Sequence, residues 1–168
     1  MGKVLAEAAA IYEDRNATQS QSYGPEARGG ASRSEVIISD EEIDFPKATQ
    51  LDLLLAFTQE ACDKYAGDLK PGGTLVVDSQ FVKQVPSAAY EVVGLPIHEI
   101  AGKTVGRSLM ANILALGVIT AVSRIVGRDS VESAIRARVP RGTEDLNLKA
   151  FRAGWDVARA SQAGPSGP

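Results

Sequence analysis

The residues with the clearest capacity for chemistry lie in one run, Ser20-Gln21-Ser22-Tyr23-Gly24-Pro25-Glu26-Ala27-Arg28-Gly29-Gly30-Ala31-Ser32-Arg33-Ser34-Glu35-Val36. Gly24, Gly29 and Gly30 permit positive φ angles and close backbone approach, so amide N–H groups can face an anion, and Arg28 supplies a planar charged fork. One reading is a phosphate or anion loop. The other is a tight surface loop in which Arg28 pairs with a neighbouring carboxylate. Residue types leave both open at this point.

Other candidates carry less. His98-Glu99 follows Pro96 near the start of a helix-like segment, where an imidazole could move protons near neutral pH. No second histidine completes a zinc site and no nucleophile stands beside it, so a structural role is expected. Gly102-Lys103-Thr104 looks like the end of a phosphate-binding P-loop, but that motif needs glycine where Ile97 stands. Cys62 is expected to be a buried structural thiol. Asn112 interrupts an apolar helix, and its amide is expected to bond to backbone, a ligand or another subunit. Arg136, Arg138 and Arg141 form either a basic edge for an acidic partner or a solvated helix face. No catalytic residue and no metal ligand is assigned to this chain.

The elements that must position these groups follow from the apolar pattern. Gly2 to Glu13 is predicted as a helix ending near Asn16, and Thr18 to Arg33 as a polar, glycine-rich loop. Ser34 to Ser39 is predicted as a strand, with Ile43 to Pro46 returning beside it as a hairpin. Leu51 to Phe57 then gives a strand, Thr58 a cap, and the residues to Tyr65 a helix. Pro71-Gly72-Gly73 reads as a turn, Thr74 to Val77 and Tyr90 to Val93 as strands, and Val105 to Val126 as one long buried helix ending at Gly127. Its apolar surface exceeds what a small sheet covers, which suggests a subunit interface or a fully internal helix. Two more helices, Asp129 to Val139 and Glu144 to Ala160, complete the pattern, and residues 164–168 have the composition of a disordered tail. Strands alternating with helices predict an α/β fold, a mostly parallel sheet with helices on both faces in a Rossmann-like three-layer arrangement, plus C-terminal helices.

Composition bounds the function. A chain of 168 residues, 44% hydrophobic and 23% charged with net charge -3, has the makings of one soluble domain without a basic field for nucleic acid. The single cysteine, Cys62, cannot build a disulfide or ligate an iron–sulfur cluster within the chain. No secretory signal pattern is present, and the run Leu109 to Val122 falls short of the roughly 20 apolar residues of a membrane span, so a cytoplasmic, non-membrane protein is expected.

The run Ser22-Tyr23-Gly24-Pro25-Glu26-Ala27-Arg28-Gly29-Gly30 closely resembles the signature S-Y-G-P-E-x-R-G-G of the γ subunits of 2-oxoacid:ferredoxin oxidoreductases. Similar matches follow in order: Leu53-Leu54-Leu55, Gln59-Glu60-Ala61, Leu69-Lys70-Pro71-Gly72-Gly73, Gly106 to Leu116, and Asn147 to Gly154. Thr18 to Ser39 and Asp40 to Pro46 look most like the 2-oxoglutarate branch. The resemblance implies one γ-type domain over residues 1–160, with 161–168 as tail, in a multisubunit enzyme that is not active as this chain alone. It implies that the enzyme decarboxylates a 2-oxoacid on thiamine diphosphate and releases an acyl-coenzyme A. Thiamine diphosphate, Mg and iron–sulfur clusters would reside in other subunits, with none held by this chain. Partners would be α and β subunits, with δ as an optional fourth, and ferredoxin reached through them. By residue-level match Arg28 is the coenzyme A contact, with Gly29, Gly30, Tyr23 and Gly24 shaping its loop, although Glu26 stands where relatives carry a base. The alternative is an assembly subunit that binds no small molecule. Family members usually begin with a strand and a G-x-G-G-Q-G turn, absent here, so a true start upstream of Met1 is expected.

Overall fold

A computed structural model describes residues 1–22 and 33–163. Helix α1, Gly2–Tyr12, buries Val4, Leu5, Ala8 and Ala9 on one face. The chain then turns at Asp14, whose φ is 52°. Asn16, expected near the helix end, instead opens a strand.

That strand corrects the sequence reading. Strand β1, Asn16–Ser22, pairs antiparallel with β2, Arg33–Ser39, in the register Asn16↔Ser39 to Ser22↔Arg33. Its side chains are polar apart from Ala17, so no period-two apolar signal marked it. Backbone pairing with β2 holds it in place and satisfies groups that a loop would leave to water. The predicted return strand Ile43 to Pro46 does not form. Ser39 Oγ instead accepts from Glu41 N at 3.0 Å and turns the chain away, and Phe45 is exposed.

The parallel sheet has the order β3-β4-β5, from Leu51–Ala56, Leu69–Asp78 and Glu91–Leu95. β4 is central, and β5 lies at an edge as its polarity suggested. Between β3 and β4 runs α2, Gln59–Tyr65, capped by Thr58 Oγ1 accepting from Ala61 N at 3.2 Å. Pro71-Gly72-Gly73, expected as a turn before the strand, lies inside β4 as an irregularity. Gly72 has φ 79°, and a Cβ on Gly73 would sit 3.0 Å from the Lys70 carbonyl oxygen. Alternation along the strands sorts the two faces. Leu54, Leu75, Val77 and Ala56 join Cys62 and Ala66 on the α2 side, whereas Leu53, Leu55 and Val76 join the cluster under the later helices.

The helix expected from Val105 to Val126 begins only at Ala111, after a break, and ends at Ser123. Helix α3, Ile97–Val105, stops at Gly106, which takes φ 71° and donates to the Gly102 carbonyl. A 3-10 turn at Ser108–Met110 follows, and α4 spans Ala111–Ser123, ending at Arg124 in the left-handed region. The apolar run hid the break because Leu109, counted as a helix-face residue, is 87% exposed on that turn. Helix α4 is nonetheless buried on several sides, from Leu114 through Ala121. Helices α5, Arg128–Arg138, and α6, Glu144–Gln162, complete the chain, α6 running two residues past the expected boundary at 160. Among the described residues no single helix is long and apolar enough to cross a membrane.

An ion cluster locks α5 to α6. Glu132 accepts from Arg152 at 2.9 and 2.5 Å and from Arg128 at 3.0 Å, while Arg128 lies over the Trp155 ring at 5.6 Å. The Arg152 hydrogen bonds foremost, then Arg128, outweigh partial burial and hold the Glu132 carboxyl down at about 2 instead of 4.5. A depressed carboxyl stabilises the fold fully above its unfolded value and loses that contribution as pH falls toward the folded one. Wild-type chain is therefore expected to lose more urea resistance between pH 5 and pH 3 than Glu132→Gln. Equal losses in the two proteins would refute the assignment.

Candidate functional site

Tyr23, Gly24, Arg28, Gly29 and Gly30 lie outside the described residues. What the structure does place is the stem from which residues 23–32 spring, the β1–β2 hairpin that ends at Ser22 and restarts at Arg33. The stem is tied by Gln19 Nε2 donating to Ser34 Oγ at 3.1 Å and by Ser20 Oγ donating to Glu35 at 3.4 Å. Helix α1 leans on it so closely that a Cβ on Gly2 would sit 2.5 Å from Ser34 Oγ. Arg33 sits over the Tyr65 ring at 5.1 Å, pairs with Glu35 and lies 3.9 Å from Asp68, and Lys64 approaches the same ring at 5.4 Å. Carboxylates offset Arg33, so the stem itself carries no strong positive field.

A second constellation, at the carboxyl ends of the parallel strands, was only half visible in the sequence. Asp78 closes β4 and is fully buried. Its Oδ1 accepts from Gln80 N at 2.9 Å, and its Oδ2 accepts from His98 N at 3.0 Å and lies 2.5 Å from His98 Nδ1. A carboxylate only accepts, so Nδ1 carries the hydrogen of that contact. The ring is also gripped edge-on by Phe57 and Phe81, with centroids 5.3 and 5.1 Å away. Sequence reading saw His98 without a partner because Asp78 is 20 residues distant. The available signal was an acidic residue closing an apolar strand, where a buried charge requires a partner.

The remaining candidates fall into structural places. Glu99 pairs with Lys103 one turn along α3, so Gly102-Lys103-Thr104 is the end of a helix and not a phosphate loop. Cys62 is fully buried with Sγ 4.0 Å from the Gln84 carbonyl, and burial, aided by Asp63, pushes its thiol above the ordinary range. Asn112 is exposed in the first turn of α4, which corrects the expectation of a buried amide seeking a partner. Arg138 pairs with Glu7 on α1, so it belongs to a helix contact, while Arg136 and Arg141 are exposed.

With this geometry in view, the family model for pyruvate ferredoxin/flavodoxin oxidoreductase matches residues 1–157. The chain belongs to that family. Within it, 2-oxoglutarate synthase subunit KorC of Methanocaldococcus jannaschii is 46% identical over 160 residues, covering 94% of this chain and 86% of that protein. The crystal structure of the keto/oxoacid ferredoxin oxidoreductase γ subunit from Geobacter sulfurreducens PCA has a TM-score of 0.86 at 50% identity, covering 95% of this chain and 89% of the other. The 2-oxoglutarate:ferredoxin oxidoreductase of Magnetococcus marinus, with 2-oxoglutarate, coenzyme A and succinyl-CoA bound, has a TM-score of 0.81 at 21% identity. That match covers 95% of this chain and 28% of the other, and speaks to the fold alone. The resemblance drawn from residues 20–36 holds for the family, and the γ-type architecture, three parallel strands flanked by helices with further C-terminal helices, holds with it.

Proposed function

We propose that this chain is the γ-type subunit of a cytoplasmic 2-oxoglutarate:ferredoxin oxidoreductase and forms the coenzyme A side of its active site. The observation that carries the reading is the similarity, along nearly the whole chain, to a curated subunit of 2-oxoglutarate synthase. Iron–sulfur clusters do not fit this chain, whose single cysteine lies on α2 and is buried against the sheet. Among the described residues no three His, Cys, Asp or Glu side chains gather where a metal could be held. In this reading thiamine diphosphate, Mg and the iron–sulfur clusters reside in other subunits, α, β and an optional δ, and ferredoxin is reached through them.

In this reading the hairpin stem presents the 23–32 segment, and Arg28 meets an anionic group of coenzyme A with Gly29 and Gly30 giving backbone access. The contact binds and orients, and carries no bond-making step. Removing a charge-assisted contact of this kind weakens binding about tenfold or more. In reconstituted complex, Arg28→Ala is expected to raise the KM for coenzyme A by about that factor, with assembly and the KM for 2-oxoglutarate unchanged. An unaltered coenzyme A requirement, or loss of assembly, would favour the alternative of a subunit that organises its partners and binds no small molecule.

A further inference from the structure

Successive side chains of β2 point to opposite faces of the β1–β2 ribbon, and the structure shows what each face meets. Ser34 and Val36 face α1: a Cβ on Gly2 would sit 2.5 Å from Ser34 Oγ and 3.2 Å from Val36 Cγ2. Gln19, paired with Val36 across the ladder, meets the same point through Cγ at 3.4 Å. Arg33 and Glu35 therefore share the other face with Ser20, which pairs with Glu35 and donates to it at 3.4 Å.

Arg33 stands on the last rung of that ribbon. It pairs with Ser22, so this one rung holds both points from which the 23–32 segment leaves and returns. From there its side chain reaches another part of the domain. The guanidinium lies over the ring of Tyr65, the last residue of α2, at 5.1 Å. It also lies 3.9 Å from Asp68, in the 3-10 turn Ala66–Asp68 that leads into the central strand β4. Glu35, half of whose neighbours are on the ribbon itself, completes the set as its ion-pair partner. Arg33 thus joins the rung to the α2–β4 connection from the face that α1 does not support. Lys64 over the same Tyr65 ring belongs to α2 and joins nothing to the ribbon. With two carboxylates and an aromatic face around it, the charge of Arg33 is spent on anchoring and not on an outside anion.

We infer that Arg33, anchored on Tyr65 and Asp68, is a positioning residue for the coenzyme A contact: it fixes the rung from which Arg28 is presented. This role rests on the reading of Arg28 given above. Arg33 acts through Arg28 and not on the coenzyme, which sets a ceiling. Losing the anchor costs no more than losing Arg28, and costs nothing once Arg28 is gone.

The test is steady-state kinetics of the reconstituted complex. Arg33→Ala and Tyr65→Leu are each expected to raise the KM for coenzyme A about three- to tenfold, with kcat and the KM for 2-oxoglutarate unchanged. Tyr65→Phe keeps the ring under the guanidinium and should keep the wild-type KM. Arg28→Ala combined with Arg33→Ala should match Arg28→Ala alone. If Arg28→Ala raises the KM for coenzyme A while Arg33→Ala and Tyr65→Leu do not, the positioning role falls and the coenzyme reading stands. If Arg28→Ala itself has no effect, both fall. Multiplying effects in the double variant, or a loss of kcat and a changed KM for 2-oxoglutarate in the Arg33 and Tyr65 variants, would also overturn the role, since they mark a general structural part.

Discussion

Replacing Gly154 with alanine is expected to lower the thermal midpoint of the chain by roughly 6–12 °C, a loss of about 3 kcal/mol or more. Helices α4 and α6 approach backbone to backbone at a reciprocal pair of glycines. A Cβ on Gly154 would overlap the Leu114 carbonyl oxygen and lie 2.8 Å from its carbon. A Cβ on Gly117 would overlap the Phe151 carbonyl oxygen and lie 2.8 Å from Trp155 N. The intruded atoms are main chain, so no rotamer change relieves them, and the helices must part. Parting them opens the clusters holding Leu114, Leu116 and Phe151, which are fully buried. Gly102→Ala is the control, since that helical glycine has open space around its Cβ position and should gain about 0.5–1 kcal/mol. A Gly154→Ala midpoint within about a degree of wild type would show that the close approach does not exist in solution.

The sequence was most legible where side-chain pattern and backbone demand coincide. Leu53-Leu54-Leu55 and Leu75-Val76-Val77 are apolar on both faces because the sheet is covered on both, and Thr58 caps α2 with the hydroxyl its position suggests. Reading failed where the backbone alone decides. β1 is a strand by pairing, with only Ala17 to hint at an inner face, and the 3-10 turn at Ser108–Met110 that delays α4 to Ala111 leaves no mark in an apolar run already begun at Leu109. Charge partners distant in sequence were equally opaque: Arg15 and Asp40, Glu7 and Arg138, Glu132 and Arg152 meet only after folding. The 20–36 run announced its family through residue identities, yet the fold contributes only the hairpin that carries it.

Asp78→Ala is expected to be the most costly single side-chain truncation at the sheet's carboxyl edge, about 3–5 kcal/mol by urea denaturation. The carboxylate serves three donors at once: Gln80 N, His98 N and His98 Nδ1. Truncation takes the acceptor from two backbone N–H groups and an imidazole N–H at a part-buried strand end, and donors left unsatisfied cost about 1–3 kcal/mol each. His98→Ala removes only the third of these and keeps both backbone bonds, so its cost should stay near 1–2 kcal/mol. The double variant then resolves the arrangement. If Asp78 holds the ring through that hydrogen bond, the two losses overlap, and the double variant should be less destabilised than their sum by at least about 0.5 kcal/mol. Strict additivity would mean that Asp78 supports the strand end and α3 independently of His98. The ring would then owe its orientation to Phe57 and Phe81 alone.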